Sequence, residues 1–265
     1  MTVAVRYFLD RRRSSVWWVL GMAAILLLSV AFYPAFKEQT SFEDFFKDLP
    51  EGAQALFGAG GEISLTSPAG YIHSQIFTQV FPLALLIFGI GLGARAIAGA
   101  EGDGTLELLL ANPVTRTRVA AERFVATAVM VIGLGAIMSV LLLAFSAPFE
   151  LLEAVSIPYL FGACAAATSL ALLHTSIAFA VGAAAGGRAR ALSASTAVAV
   201  AGYILFGIVS SNVLPAARFI TPWWWYLSRN IVAEGFPLES VLVPVGLSLV
   251  LGVLGIWRFR LRDLH

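Results

Sequence analysis

The chain has 265 residues, of which 59% are hydrophobic and only 12% charged, and its mean hydropathy is +0.86. A soluble domain carries about 25% charged residues, so the composition excludes a soluble globular protein and predicts a polytopic membrane protein. The formal net charge of +1 indicates no class of partner, and the single cysteine, Cys164, excludes an intrachain disulfide.

Six apolar runs are each long enough for a helix to cross the hydrocarbon core, which takes about 20 residues at a rise of about 1.5 Å per residue. Runs of this length without alternation predict α-helices rather than barrel strands. The predicted fold class is therefore an all-α polytopic membrane protein, with a single domain over residues 1–265 because no repeat or linker is visible. The six predicted spans, numbered in chain order, are residues 16–36, 76–97, 119–145, 158–185, 192–211 and 241–257.

The first run is about twice as long as the apolar core of a cleaved signal sequence, so we expect an uncleaved anchor. Basic residues then indicate the orientation, because 13 of the 17 fall on one side of this topology. Examples are Arg11, Arg12 and Arg13 before span 1, and Arg188 and Arg190 between spans 4 and 5. By the positive-inside rule this side is cytoplasmic, which predicts a multi-pass protein of the inner (plasma) membrane with both termini in the cytoplasm.

Two sizeable segments, residues 37–73 and residues 212–239, lie on the other side of this topology. Residues 41–58 of the first have the composition of a short amphipathic helix at the membrane interface. The second contains the aromatic run Trp223–Tyr226, and such side chains are typical of the membrane–water boundary. We therefore expect both segments to lie at the outer interface.

The interiors of the spans carry almost no ionisable groups, and the clearest exception is His174, which is followed by Thr175 and Ser176. Ion-coupled transporters need intramembrane carboxylates or similar relays, and none is visible. The three residues could line a polar pathway, or they could form hydrogen bonds between helices. The spans also lack paired carboxylates, a zinc-binding histidine motif and a nucleophile turn, so we predict no catalytic or metal-binding residue.

Two glycine patterns bear on nucleotide binding. The run Gly89–Ala94, GIGLGA, superficially matches a dinucleotide-binding pattern, but that motif requires a strand before it and a helix after it. Within an apolar run, close helix packing explains these glycines better. The sequence also has no GxxxxGK[ST] motif, so we expect no ATP site and no cofactor on this chain.

Between spans 2 and 3 the sequence reads AEGDGTLELLLANPVTRTRVAAERF, residues 100–124. Two glycines near its start break the helix of span 2, and Pro113 ends a new helix after about two turns. Leu106, Leu109 and Leu110 share one face of that helix. A helix this short is unstable in water on its own, so its leucines need a partner surface, which could be lipid headgroups or a groove on a cytoplasmic protein.

The stretch from Glu101 to Arg116 resembles the cytoplasmic signature of type 2 ABC transporter permeases, the membrane subunits of bacterial ABC exporters. In that family the helix after span 2 is the coupling helix, which docks into a cleft on a nucleotide-binding ATPase subunit. One position departs from the pattern, since family members often have a basic residue where this chain has Asp103. The residues that the resemblance assigns to ATPase coupling are Glu101, Gly104, Thr105, Leu106, Glu107, Leu109, Leu110, Pro113 and Arg116.

The resemblance implies that the chain is the permease subunit of an ATP-driven ABC exporter and not itself an enzyme. It implies a separate ATPase that carries ATP and Mg²⁺, a second permease chain in a homo- or heterodimer, contact with membrane lipid and no nucleic acid. Residues 2–14 resemble the short amphipathic interfacial helix of the family. Apolar spans suggest an amphipathic or hydrophobic substrate such as a drug, an antibiotic or a lipid. The alternatives are a non-transporting membrane scaffold or assembly factor and, with less support, an intramembrane enzyme.

Overall fold

The structure, a computed structural model, describes residues 2–38, 41–59, 64–152, 155–235 and 237–263. Within these residues six helical segments are long and apolar enough to cross a membrane, and they confirm the six predicted spans. Residues 39–40, 60–63 and 236 of the two predicted outer segments lie outside the described residues, as do residues 1, 153–154 and 264–265 of the predicted domain. The spans are Val3–Lys37, Pro68–Gly102, Arg116–Phe149, Ile157–Ala185, Arg188–Ser210 and Glu239–Leu261.

An even number of crossings puts both ends of the chain on one side of the bundle, which we call the terminal side, opposite the distal side. Contacts agree with this placement. The backbone N–H of Ala4 donates to Oε2 of Glu122 at 2.9 Å, and the guanidinium of Arg262 forms an ion pair with Glu101. Both ends of the chain therefore meet the residues that flank the loop between spans 2 and 3.

Capping residues and glycines explain where several spans begin and end. Thr115 is the residue just before span 3. Its hydroxyl accepts a hydrogen bond from the N–H of Arg118 at 3.2 Å, which satisfies one of the free N–H groups at the start of the helix. Ser67 caps span 2 in the same way, accepting from the N–H of Gly70 at 3.1 Å. Span 4 ends at Gly186, whose φ of 64° lies in the left-handed region that glycine favours.

The amphipathic segment predicted at residues 2–14 continues directly into span 1, because both belong to one α-helix, Val3–Ala31. The arginines and serines that join them include no proline or glycine that would break the helix. Tyr7 is buried and its hydroxyl donates to the carbonyl of Leu92 at 3.4 Å, whereas Phe8 is 46% exposed. One face of these first turns therefore packs on the bundle and the other is free to contact lipid.

Span 2 is a composite helix. Its central α-helix, Phe81–Ala94, is flanked by π-helical segments at Ile72–Val80 and Arg95–Gly99. π-helical turns are rare and occur frequently at functional sites. One short α-helical turn, Ala100–Gly102, separates the second of them from the loop between spans 2 and 3.

Span 4 lies at the centre of the bundle. In the most apolar stretch of span 4, 72% of the residues are buried, and in the corresponding stretch of span 2, 67% are buried. The buried fraction is only 22% for span 1 and 28% for each of spans 5 and 6. Ser169 of span 4 donates to the carbonyl of Ser240 in span 6 at 2.9 Å, and Thr168 packs against Gly135 of span 3. Spans 2, 3 and 6 therefore all pack on span 4.

Glycines bring the backbones of spans 2 and 4 together. A Cβ placed on Gly93 would lie 2.3 Å from the carbonyl oxygen of Thr175, and one on Gly89 would lie 2.2 Å from Oγ1 of the same residue. Small residues permit such close approach, which replaces the hydrophobic drive that lipid does not supply between helices. The glycine run Gly89–Ala94 is thus a helix-packing feature, as its apolar setting predicts.

Short helices on the distal side fold back onto the spans. The residues predicted to form one interfacial helix form two, separated at Pro50. The second packs on span 5, where the hydroxyl of Tyr203 donates to the carbonyl of Leu56. The short distal helices are Ser41–Lys47, Glu51–Leu56, Pro215–Phe219, Pro222–Leu227 and Ile231–Glu234.

Two aromatic residues predicted for the outer interface are instead buried, so that prediction was wrong for them. Trp223 is 3% exposed and its Nε1 donates to the carbonyl of Ala199 at 2.9 Å. Tyr226 is 1% exposed and its hydroxyl donates to the carbonyl of Phe77 at 2.6 Å. Indole and phenol groups can be buried when their polar atoms find partners, and here the partners are in the distal half of span 2 and the middle of span 5.

A matched pair of substitutions tests the close contact of spans 2 and 4. Gly93→Ala should lower the free energy of unfolding by about 1–3 kcal/mol, because the added methyl meets the Thr175 carbonyl. Gly91→Ala in the same helix should change it little, because a Cβ there has no atom within 4 Å. Unfolding of both variants in mixed detergent micelles measures the difference, and equal effects would contradict the packing described here.

Candidate functional site

The loop between spans 2 and 3 contains a six-residue helix, Thr105–Leu110, which we call the loop helix. Gly104 precedes it with a φ of 67°, a left-handed conformation that lets the chain turn sharply after span 2. The hydroxyl of Thr105 donates to the carbonyl of Ala100 at 3.1 Å, and Nδ2 of Asn112 donates to that of Leu108 at 3.0 Å. Side chains therefore fix both ends of this helix.

The leucine face predicted to meet a partner surface packs on the chain's own bundle. Leu106 is 1% exposed and lies in a cluster with Ile97 of span 2, Val119 of span 3 and Phe259 of span 6. Leu109 and Leu110 are half-buried at the edge of the same cluster. A helix this short gains stability from the nearest apolar surface, and that surface is the terminal end of spans 2, 3 and 6.

Leu108 takes the outward position that the sequence analysis did not assign. Its side chain is 73% exposed, on the opposite side of the loop helix from Leu106. Thr105, Glu107 and Asn112 around it are also exposed, as is Pro113 just beyond. The free face of the loop helix is therefore one large apolar side chain with a polar rim. An apolar residue off the core-facing stripe is the signal that could have identified it.

An ion pair connects the start of this loop to the end of span 6. The guanidinium of Arg262 pairs with Glu101, and the two side chains are only 18% and 23% exposed. Nη1 of Arg262 also donates to the carbonyl of Ala183 at 3.2 Å, at the end of span 4. Nη1 of Arg116 donates to the carbonyl of Arg262 at 2.6 Å. We call this set of contacts the clasp, and it joins spans 2, 3, 4 and 6.

The first turns of span 1 are held against span 3 by a second set of polar contacts. Glu122 accepts from the N–H of Ala4 at 2.9 Å and from Nε of Arg118 at 2.7 Å. Arg123 is 8% exposed, donates to the carbonyl of Ala96 at 2.7 Å and lies 5.6 Å from the ring centre of Tyr7. The N-terminal turns are therefore fixed beside the loop.

A groove of about 310 Å³ runs between the first turns of span 1 and the loop helix. Leu108 and Leu109 line one wall. Arg6 and Asp10 of span 1 contribute charge to the other wall, and Asp103 also lines the groove. The surface around Leu108 thus carries charges of both signs.

The polar residues of span 4 that could have lined a pathway are bonded within their own helix. His174, Thr175 and Ser176 are each no more than 1% exposed. Their side chains contact the carbonyls four residues before them at 2.9, 2.7 and 2.9 Å. Ser195 of span 5 donates to the carbonyl of His174 at 2.7 Å, which is a bond between helices. These contacts favour a structural role for the three residues.

The clasp brings two of the predicted coupling residues, Glu101 and Arg116, together with one that sequence reasoning missed, Arg262. Gly104, Thr105 and the leucines form the loop helix itself. No local pattern marks Arg262 as their partner, because it lies 161 residues from Glu101 along the chain.

Residues 1–264 match the family model described as "ABC-2 family transporter protein". No curated protein matches the chain. The match covers all the spans, the loop helix and the clasp, so the features described above lie inside the matched region.

A double-mutant cycle tests the clasp. Arg262→Gln should lower the free energy of unfolding by about 1–3 kcal/mol, since it leaves the Glu101 carboxylate without its partner in a largely buried position. Glu101→Gln should cost less, because Arg262 keeps its carbonyl acceptor. Unfolding in mixed micelles should show that the two effects are not additive.

The matched control for this cycle is Arg260→Gln, which removes the same charge from an exposed side chain two residues earlier. It should leave stability within about 0.5 kcal/mol of wild type. Strictly additive effects of Glu101→Gln and Arg262→Gln, or an equal effect of Arg260→Gln, would contradict the clasp.

Proposed function

The chain belongs to the ABC-2 family of transporter proteins, and we propose that it is the permease subunit of an ATP-driven exporter whose ATPase binds the loop helix. The observation that carries this proposal is the opposite placement of two leucines in that helix. Leu106 is held in the bundle at 1% exposure, and Leu108 projects outward at 73%. The helix is thus fixed to the spans and still offers an apolar side chain to a partner.

The free face of the loop helix suits a groove on another protein. Recognition of a short helix in a groove uses an apolar anchor surrounded by polar groups, and Leu108 has Thr105, Glu107 and Asn112 around it. In this proposal Thr105, Glu107, Leu108 and Pro113 touch the ATPase. The other predicted coupling residues hold the helix in place, namely Glu101, Gly104, Leu106, Leu109, Leu110 and Arg116.

The same anchorage explains how motion of the partner would reach the membrane. The ATPase supplies the chemistry, since it carries ATP and Mg²⁺. Leu106 and the clasp tie the loop helix to spans 2, 3, 4 and 6. If the ATPase contacts the helix differently before and after it binds ATP, those spans experience a different force in each state, and that difference is what coupling requires.

The proposed assembly contains two permease chains and a cargo of apolar or amphipathic character. An apolar groove of about 470 Å³ lies between spans 2 and 5, with Leu83, Ile90, Val200 and Tyr203 among its lining residues. Spans 1, 5 and 6 are the least buried within the chain, which leaves apolar surface for a second permease chain and for lipid. Such a groove favours a drug, antibiotic or lipid-like cargo over an ion.

We place the terminal side at the cytoplasmic face of the inner membrane. The described basic residues of this side include those that flank the loop helix and those that follow span 6, and the positive-inside rule assigns such a side to the cytoplasm. The ATPase acts from the cytoplasm, so the loop helix is on the side that the proposal requires.

A single substitution at the outward leucine tests the proposal. Leu108→Asp should reduce co-purification of a P-loop ATPase with the chain at least tenfold, because a charge replaces the apolar anchor of the interface. The fold should persist, since the side chain is 73% exposed. The measurement is affinity purification of the full chain from its native membrane in mild detergent, with the ATPase identified by its GxxxxGK[ST] sequence.

The matched control is Leu238→Asp. Leu238 lies on the distal side and its side chain is 68% exposed, similar to that of Leu108. It introduces the same carboxylate and should leave ATPase recovery unchanged. Recovery that is equal in wild type and Leu108→Asp would overturn the proposed docking face. A wild-type chain that captures no ATPase would favour the scaffold alternative.

A further inference from the structure

A cleft of about 290 Å³ opens on the terminal side, where the ends of spans 1, 2 and 5 meet. It adjoins the groove beside the loop helix and shares Arg11 and Arg95 with it, but Leu108 does not line it. From its chemistry we propose that this cleft, which we call the basic cleft, binds the phosphate headgroup and one acyl chain of an anionic phospholipid. The proposal does not depend on the ATPase docking described above.

Three arginines, one from each span, form the outer end of the basic cleft. They are Arg11, Arg95 and Arg188, and none of the described residues that line the cleft carries a carboxylate. Arg95 experiences repulsion from both other guanidinium groups and attraction from Asp103, which lies in the neighbouring groove. In the described part of the chain none of the three forms an ion pair. Such an arrangement of like charges is complementary to an anion.

Among the described residues, the only close partner of these guanidinium groups is an aromatic ring. Arg11 lies 5.8 Å from the ring centre of Tyr7, a contact that leaves its N–H donors free for an acceptor. Oγ of Ser15, which also lines the cleft, is buried and has no hydrogen-bond partner among the described residues. A phosphate provides several acceptor oxygens, and these groups provide the matching donors.

The inner part of the basic cleft is apolar in each of the three spans. Trp18 lies about 10 Å below Arg11, and Ile87 lies about 12 Å below Arg95, at a helical rise of 1.5 Å per residue. Leu192 lies one turn below Arg188. A free phosphate would use only the outer end. A phospholipid places its phosphate at the membrane interface and its acyl chain in the hydrocarbon, which matches both ends of the cleft.

Lipid binding to the purified full chain tests this site. Native mass spectrometry in mild detergent can compare phosphatidylglycerol with phosphatidylcholine of the same acyl chains. The wild type should prefer phosphatidylglycerol by about tenfold or more, and Arg11→Gln/Arg188→Gln should abolish the preference, since each basic side chain near a headgroup contributes an appreciable part of it. Arg12→Gln/Arg13→Gln removes the same charge from exposed positions that do not line the cleft, and should retain the preference within about threefold.

A second pair of variants tests the apolar part without changing charge. Gly91 lines the cleft and a Cβ there meets no atom within 4 Å, so Gly91→Phe should fill the space of the acyl chain without a clash at Cβ. It should weaken phosphatidylglycerol binding at least several-fold. Gly133→Phe is the control, because a Cβ there is equally free and Gly133 does not line the cleft. This pair keeps the proposal testable if the double arginine variant fails to fold.

Several results would overturn the proposal. If glycerol phosphate, which has no acyl chains, competes for the cleft as well as phosphatidylglycerol does, the site binds free anions rather than a lipid. Another such result is an equal loss in the Arg12→Gln/Arg13→Gln control, or no loss in Gly91→Phe. A third is a fall in the dimer fraction of Arg11→Gln/Arg188→Gln with an unchanged count of bound phosphatidylglycerol, which would assign the cleft to a contact between two copies of the chain.

Discussion

The position of the loop helix depends on the close contact between spans 2 and 4. Gly89 and Gly93 bring the backbone of span 2 against Thr175, at a separation that a methyl group would not fit. In a bilayer, helices do not associate by excluding water, so such packing has to hold them together. Because span 2 continues into the loop helix, this contact also determines where Leu106 meets the bundle and where Leu108 points.

On the terminal side, two kinds of interaction turn a short loop into a fixed part of the bundle. Burial of Leu106 supplies an apolar attachment. The clasp supplies a polar one, since Arg262 binds Glu101 and a carbonyl at the end of span 4 while its own carbonyl accepts from Arg116. A helix of six residues would not hold its shape in water without them. The same attachments would carry force into the membrane, and a helix bound only to lipid headgroups would lack that property.

The arginines of the terminal side fall into distinct structural classes that a charge count does not separate. Arg262 and Arg118 form ion pairs, and Arg123 is buried against a carbonyl and an aromatic ring. Arg95 and Arg188 lack an ion pair in the described residues and converge on one cleft. Only the unpaired class is available to an anion. The positive-inside rule predicts an orientation from the number of basic residues, but it does not indicate what each side chain binds.

The sequence by itself determined the six spans and the existence of the loop helix, because apolar length, glycines and Pro113 act locally along the chain. It also determined that three leucines share a face. Only the tertiary structure decided that this face turns inward and leaves Leu108 exposed, and that Trp223 is buried beneath span 5 rather than placed at the interface. It alone joined Glu101 to Arg262, 161 residues apart. Periodicity specifies which side chains lie together on a helix, but the direction of that face depends on packing between distant segments, which no local pattern encodes.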